Sequence, residues 1–231
     1  MTMETIRHDF DRLAAFDTGG WNHNDHYHPY LLRQIPAPCD QSLEIGCGIG
    51  TFARLLGQRS RHVLALDLSS EMARIAQERS AGFPNIEYRV ADVLEWPFPL
   101  NGFDCIASIA TMHHLSLEVM LTKMKMALKP GGVLLILDLY EAKDLSDYLL
   151  SAVAFPANIL IRLAKTGSLR PPEAERRAWE EHGKHDHYLH VPAVRRICQE
   201  LLPGAEVKKH LFWRYSIVWH KPIKGQGDTS Q

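Results

Sequence analysis

Residues 43–50 read Leu43-Glu44-Ile45-Gly46-Cys47-Gly48-Ile49-Gly50, an apolar run that ends in a glycine-rich turn. Glycine lets the backbone of such a turn come close to a bound ligand, because no side chain stands in the way. Residues 51–56 then have the pattern of a helix start. The stretch therefore predicts a strand, a ligand-binding turn and a helix in succession, an arrangement that favours a nucleotide-type cofactor.

The glycines by themselves leave two cofactors open. Read from Gly46 they give G-x-G-x-G, and read from Gly48 to Ala53 they satisfy the dinucleotide fingerprint G-x-G-x-x-G/A. In both cases Asp67 lies about 20 residues downstream, where an acid meets ribose hydroxyls. Glu44 separates the two readings, because its carboxylate would repel a pyrophosphate but attract a cationic sulfonium with an amino-acid tail. The residues therefore favour S-adenosylmethionine.

Three later segments agree with this cofactor. Residues 88–93, Tyr88-Arg89-Val90-Ala91-Asp92-Val93, form a strand that ends in an acid and an apolar residue, which suits an adenine ring. Residues 102–110 form a strand that leads to Thr111-Met112-His113-His114-Leu115, and residues 128–136 form a turn that leads to another buried strand. Over roughly residues 40–140 this ordered set resembles the class I S-adenosylmethionine-dependent methyltransferases. The resemblance is to the broad group that acts on small molecules (methyltransferase type 11-like).

The resemblance implies a set of cofactor-binding residues, namely Glu44, Gly46, Cys47, Gly48, Gly50, Asp67, Leu68, Asp92, Val93, Ile109 and Ala110. In this set Glu44 contacts the methionine end of the cofactor, Asp67 binds the ribose hydroxyls and Asp92 binds the adenine amino group. Leu68 and Val93 pack against the adenine. The remaining positions bring backbone close to the ligand.

Methyl transfer from a sulfonium is an in-line displacement, so the protein mainly aligns the two reactants and excludes water. A general base is needed only if the nucleophile carries a proton at neutral pH. Because imidazole titrates near neutrality, the candidate bases are His113, His114 and His28. Packing of His113 and His114 against the following turn is the alternative to a catalytic role.

Two histidine runs share the spacing H-x-x-H-x-H. The first is His23, His26 and His28, and the second is His182, His185 and His187, followed by His190. Clustered histidines can bind transition metals, but neither run has a cysteine or a close acidic partner that completes a familiar signature. We therefore expect no metal, and an aromatic, histidine-rich lining of the acceptor pocket.

Apolar strands alternate with helical patterns, which predicts an α/β fold with a doubly wound, mostly parallel, seven-stranded Rossmann-like sheet. The expected strands are 42–46, 62–67, 86–91, 103–109 and 132–138, with a terminal antiparallel hairpin at 205–213 and 215–220. The expected helices are 50–59, 69–81 and 116–128, with Ser69 or Ser70 as an N-cap.

We expect residues 1–231 to form a single methyltransferase domain. Its predicted parts are an N-terminal helical lid (1–38), a cofactor-binding core (39–140), a helical insertion after the fifth strand (141–190), the last helix and terminal strands (191–222) and a disordered tail (223–231). Leu149 and Phe155 of the insertion are expected to shape the acceptor pocket.

Composition bears on which class of molecule the protein binds and on where in the cell it is expected. A net charge of −1 gives no basic field for nucleic acid. Four cysteines without C-x-x-C pairing indicate reduced thiols, and the chain has neither a signal core nor an apolar span, so a cytoplasmic protein without stable membrane insertion is expected. The sequence carries no signal for an oligomeric state.

The segment after the fourth strand favours a small-molecule acceptor with an oxygen or nitrogen nucleophile. It reads Ser108-Ile109-Ala110-Thr111-Met112, which differs from the Asn/Asp-Pro-Pro-Tyr/Phe segment of enzymes that methylate adenine or glutamine amides. An NAD(P)-dependent oxidoreductase and a catalytically inactive cofactor-binding scaffold are the alternatives.

Overall fold

The computed structural model describes residues 2–16, 22–143, 163–164, 167, 173–184 and 186–223. Most of the predicted insertion, including Leu149 and Phe155, lies outside the described residues. The same holds for His185, for the glycine pair at 19–20 and for residues 224–231 of the predicted tail.

Within the described residues, the strands are β1 Gln41–Ile45, β2 His62–Asp67, β3 Ile86–Val90, β4 Phe103–Ile109, β5 Leu128–Leu139, β6 Glu206–His210 and β7 Arg214–His220. They form one sheet in the order β3-β2-β1-β4-β5-β7-β6. β1 to β5 pair in parallel, whereas β7 runs antiparallel to both β5 and β6. The predicted doubly wound sheet with a terminal antiparallel hairpin is confirmed.

The helices of the described part are α1 Met3–Ala14, α2 His28–Leu32, α3 Thr51–Gly57, α4 Ser70–Arg79, α5 Leu117–Ala127, α6 Glu173–Gly183 and α7 Val191–Leu201. α3, α4 and α5 correspond to the three predicted helices. A 3-10 turn at Met112–His114 follows β4. No helix in this part of the chain has the length and apolar composition needed to cross a membrane.

β5 shows how the sheet is buried on both faces. Leu134 and Ile136 pack into a cluster with side chains of α5 and α7. Val133, Leu135 and Leu137 point the other way, into a cluster with side chains of α2 and α3. All five are fully buried, and each such side chain contributes about 1.5–3 kcal/mol relative to exposure. The helices on the two faces therefore hold the carboxyl ends of the parallel strands in a fixed arrangement.

Serine hydroxyls begin two of these helices. Ser69 Oγ accepts the backbone N–H of Met72 at 3.1 Å, and Ser116 Oγ accepts that of Val119 at 3.5 Å. Each bond satisfies one N–H that has no partner within its helix. The predicted N-cap at Ser69 is confirmed, and it fixes where α4 starts after β2.

β5 begins earlier than predicted. Leu128 pairs with Phe103, and regular pairing resumes only where Val133 meets Cys105. The turn predicted at the start of residues 128–136 is therefore an irregularity inside β5, with Gly131 at φ +79°. All four cysteines are buried and unpaired.

Candidate active site

A cavity of about 700 Å³ opens at the carboxyl edge of the parallel strands. One wall comes from the glycine turn and from the segments that follow β2, β3 and β4. Its residues are Ile45, Gly46, Gly48, Asp67, Leu68, Met72, Ala91, Val93, Ile109, Ala110 and Thr111. This wall contains seven of the residues that the sequence predicts for the cofactor, and we call it the cofactor wall.

The glycine turn has two positions with different steric requirements. Gly46 has φ +70°, and a Cβ there would lie 2.1 Å from Thr111 Oγ1. Gly48 has φ +50°, and a Cβ there would meet no atom within 4 Å. Gly46 is therefore required for packing of the protein itself, whereas Gly48 borders open space in the cavity.

Asp67 connects the end of β2 to the glycine turn. Its Oδ2 accepts the Gly48 N–H at 2.7 Å, and its Oδ1 accepts the Ser69 N–H at 2.9 Å. Burial raises the pKa of Asp67 to about 6, although the two N–H donors oppose the shift. Ser69 Oγ also donates to Asp11 Oδ1 at 2.5 Å, which joins α1 to this corner of the cavity.

Four residues predicted for the cofactor do not form part of the cavity wall. Glu44 is 2% exposed and lies beneath the turn, where burial and the charge of Asp67 raise its pKa well above the usual value. Cys47 packs against Ala53 and Ala65. Gly50 lies against Tyr88, since a Cβ there would be 2.4 Å from Tyr88 Oη.

The fourth of these residues is Asp92. Its Oδ1 accepts the backbone N–H of Leu94 at 2.8 Å. That bond closes a local turn, and the turn presents the neighbouring Ala91 and Val93 to the cavity.

The remaining lining residues are apolar and polar side chains from α1, α6, the segment before α2, the turn after β4, the segment after α6, the end of β5 and the start of β7. They are Met3, Ile6, Phe10, Asn22, His23, Asn24, His113, His114, Leu115, Leu139, Arg176, Trp179, Glu180, His182, Gly183, Asp186, Tyr188 and Arg214. We call this set the acceptor wall. It contains His23 and His182, one histidine from each H-x-x-H-x-H run.

Arg214 supplies a partly buried positive charge to this wall. Its Nε donates to Asn24 Oδ1 at 2.7 Å, and its NH1 donates to the Phe212 carbonyl at 2.9 Å. Burial lowers the pKa of the guanidinium, while the charge of Asp138 opposes that shift. The acceptor wall can therefore orient a polar group as well as bury an apolar one.

His113 and His114 lie side by side after β4, with ring centroids 3.9 Å apart. His113 Nδ1 is 2.6 Å from Asp138 Oδ1, at the end of β5. Although burial disfavours the charged ring, Asp138 raises the pKa of His113 above its usual value. Burial lowers the pKa of His114. The two adjacent histidines therefore differ in their electrostatic surroundings.

Asp186 lies at the centre of the acceptor wall. Its Oδ1 is 3.3 Å from His114 Nδ1 and 3.8 Å from His182 Nε2, and its Oδ2 is 4.0 Å from His113 Nε2. Tyr188 Oη donates to Oδ2 at 2.7 Å. Three histidines from two parts of the chain therefore surround one carboxylate.

The predicted position of His28 is wrong. The ring is buried against Phe52 of α3, with centroids 5.0 Å apart, and it does not form part of the cavity wall. Burial lowers its pKa to about 4. α2 begins at this residue and turns the ring towards the interior, so His23 is the member of that run that reaches the cavity.

Sequence reasoning missed Asp138, Asp186 and Arg214. Asp138 had a signal, because it ends a predicted strand at the same edge as Asp67. Arg214 begins the last strand, and only the antiparallel direction of β7 brings that strand's start to the carboxyl edge of β5. Asp186 follows the end of α6 at Gly183 and stands in the sequence between His185 and His187 of the second histidine run, which is its one local signal.

The chain is similar to known methyltransferases. The model of a family described as a methyltransferase domain matches residues 43–132. An uncharacterised methyltransferase of Mycobacterium tuberculosis is 28% identical over 212 residues, which is 88% of this chain and 98% of that protein. A ubiquinone biosynthesis O-methyltransferase of Xylella fastidiosa is 28% identical over 198 residues, 75% of this chain and 76% of that protein.

A solved structure has the same fold. N-methyltransferase NodS from Bradyrhizobium japonicum, determined with S-adenosyl-L-homocysteine, superposes with a TM-score of 0.63 at 18% sequence identity. The match covers 94% of this chain and 98% of that one.

Proposed function

Because the chain belongs to the class I S-adenosylmethionine-dependent methyltransferases, we propose that its cavity aligns that cofactor with a small-molecule acceptor. The acceptor attacks through an oxygen or a nitrogen. Its lone pair forms a bond to the methyl carbon while the carbon–sulfur bond breaks, and S-adenosylhomocysteine leaves. A proton that the acceptor carries passes to a histidine of the acceptor wall or to water.

The observation that carries the proposal is the two-walled cavity. Its cofactor wall has Asp67 and an open position at Gly48, where a ligand can approach the backbone. The residues of its acceptor wall line the same cavity. A volume of about 700 Å³ falls within the range of small-molecule sites. Side chains of α1 and α6 line part of the cavity, which reduces the access of water to the reacting atoms.

The nature of the acceptor wall supports a small, partly apolar substrate. Ile6 and Phe10 of α1 and Trp179 of α6 supply apolar surface, and Arg214 and Asn24 supply fixed polar groups. Mixed walls of this kind bury a ring or chain while they orient one polar group. A ubiquinone biosynthesis O-methyltransferase among the similar proteins supports an oxygen nucleophile, and other relatives are named as C-methyltransferases.

Titration calorimetry with S-adenosylmethionine, S-adenosylhomocysteine and NAD tests the cofactor. We expect both sulfur compounds to bind and NAD not to bind. Incubation with methyl-labelled S-adenosylmethionine and separate panels of phenols, carboxylic acids, amines and thiols then tests the acceptor. Label transfer to an oxygen or nitrogen compound supports the proposal, whereas transfer only to a protein or a nucleic acid contradicts it.

A further inference from the structure

We propose that His113, His114 and Asp186 bind a divalent transition-metal ion in the acceptor wall, with His182 placed as a further ligand. The donor set of imidazole nitrogens and a carboxylate oxygen suits ions such as Zn²⁺, Fe²⁺ or Co²⁺ better than Mg²⁺ or Ca²⁺. Binding of the ion requires neither the cofactor nor the acceptor, so the ion site can be tested separately from methyl transfer.

The distances fit an ion with short ligand bonds. One ligand atom from each of His113, His114 and Asp186 lies within 4.8 Å of the others. The pairs that involve Asp186 are 3.3 and 4.0 Å apart. Ligands bonded at about 2.0–2.2 Å to one ion lie roughly 3.0–3.5 Å from each other. Small side-chain adjustments would therefore bring these atoms to coordinating positions.

Unsatisfied polar atoms point to a missing partner. The side chains of His114 and Asp186 are 4% and 3% exposed. His114 Nδ1 and Asp186 Oδ1 are 3.3 Å apart as an ion pair but without hydrogen-bond geometry, and His114 Nε2 has no hydrogen-bond partner. Buried polar atoms without partners are costly and uncommon. An ion between these residues would satisfy an atom of each.

Carboxylates behind the rings orient the nitrogens. Asp138 Oδ1 is 2.6 Å from His113 Nδ1, so Nε2 of His113 remains for Asp186 and the ion. Asp9 Oδ2 is 3.3 Å from His182 Nδ1, so Nε2 of His182 faces Asp186 in the same way. A carboxylate bonded to the far nitrogen of a histidine is the usual support for a metal ligand.

The ion would give His113 and His114 a role other than the general base that the sequence predicts. A site with three or four protein ligands leaves coordination positions towards the cavity. On the proposed function, an oxygen or nitrogen of the acceptor would occupy one of them, and the ion would lower the pKa of that group.

The test uses the full chain after treatment with a chelator. Zn²⁺ and Co²⁺ are titrated by calorimetry, Co²⁺ is also followed by its visible absorption, and Mg²⁺ serves as the control cation. We expect about one Zn²⁺ or Co²⁺ per chain. Asp186→Asn and His114→Gln should each abolish binding, and Asp138→Asn should weaken it by about 10–100-fold.

His187→Gln and His26→Gln are the matched controls, because both residues are exposed histidines of the H-x-x-H-x-H runs. Both variants should bind the ion as the unmodified chain does. Circular dichroism shows whether each variant is folded. If one of the two ligand variants does not fold, the other still tests the proposal. Absence of stoichiometric binding by the unmodified chain would overturn the proposal, as would binding that survives in folded Asp186→Asn or His114→Gln. Loss of binding in a control variant would point instead to surface histidines.

Binding of S-adenosylhomocysteine to the same preparation separates the two proposals. If the sulfur compound binds and the ions do not, the ion site is wrong and the proposed methyltransferase function is unaffected. If the ions bind and the sulfur compound does not, the cofactor assignment is the part that fails.

Discussion

Replacement of Asp67 with asparagine should weaken cofactor binding, whereas the same change at a residue away from the cavity should not. The Asp67 carboxylate lies on the cofactor wall, and it already accepts the N–H groups of Gly48 and Ser69. Asparagine keeps the shape but loses the charge and one acceptor oxygen. It therefore affects both the proposed bonds to ribose hydroxyls and the bond that fixes the glycine turn.

The size of the effect follows from these contacts. Hydrogen bonds to a charged acceptor contribute about 1.5–3 kcal/mol, and about 1.4 kcal/mol changes a dissociation constant tenfold. The Kd of S-adenosylhomocysteine should therefore rise by about 10–150-fold. One of the two backbone N–H groups also loses its acceptor, so stability should fall by about 1–3 kcal/mol. Calorimetric titration measures the first quantity, and urea unfolding measures the second.

Asp104→Asn is the matched control. Asp104 Oδ2 also accepts two backbone N–H groups, those of Asp40 and Gln41, but it lies at the amino end of β4, away from the cavity. This variant should lose stability without a change in Kd. A folded Asp67→Asn protein with the Kd of the unmodified chain would refute the assignment of Asp67 to the cofactor, and so would an equal loss of affinity in Asp104→Asn.

Three further predictions address the turn, the buried acid and the acceptor wall. Both glycines have positive φ, so alanine strains the backbone at either position. Gly48→Ala should lose cofactor affinity, because its added Cβ enters open space in the cavity. Gly46→Ala should in addition unfold at a lower urea concentration than Gly48→Ala, because its Cβ meets Thr111 at 2.1 Å. Equal urea midpoints for the two variants would contradict this difference. Glu44 has a raised pKa in the folded state because of burial, so the native protein loses stability as pH rises above the unfolded value of 4.5. The Glu44→Gln variant should therefore be more stable than the unmodified chain at pH ~8, and the difference in stability should be much smaller at pH ~5. If the difference in stability were the same at both pH values, Glu44 would not carry a buried charge. Phe10→Ala should raise the KM of an identified acceptor by about tenfold, because it removes part of an apolar contact of about 1.5–3 kcal/mol. The Kd of the cofactor should not change. A parallel loss of cofactor affinity would mean that α1 supports the cofactor wall instead.

Much of the fold could be read from local patterns. The apolar runs, the turn at Gly46 and Gly48 and the serine at position 69 each act over a few residues, so their effects on strands, turns and helix starts are visible in the sequence. The same holds for Asp67, His113 and His114, which follow predicted strands of a parallel sheet. The carboxyl ends of such strands meet at one edge, and that edge is where the cavity lies.

The orientation of side chains within these elements needed the structure. Glu44 lies in β1 between Leu43 and Ile45, and the pleat of the strand turns it away from the cavity side on which Ile45 lies. His28 points into the core because α2 packs against α3. Both residues have the chemistry that the predicted roles require, but the rotation of each element decides what the side chain meets.

The proximity of His113 and His114 to Asp186 depends entirely on tertiary structure. More than seventy positions separate Asp186 from the two histidines in the chain, and only the packing of α1, α6 and the sheet edge brings the carboxylate to within 4.0 Å of both rings. Spacing along the sequence instead drew attention to histidines that the fold separates, such as His23 and His28. Local patterns are set by neighbours in the chain, whereas a cluster of this kind is set by the burial of distant surfaces against one another.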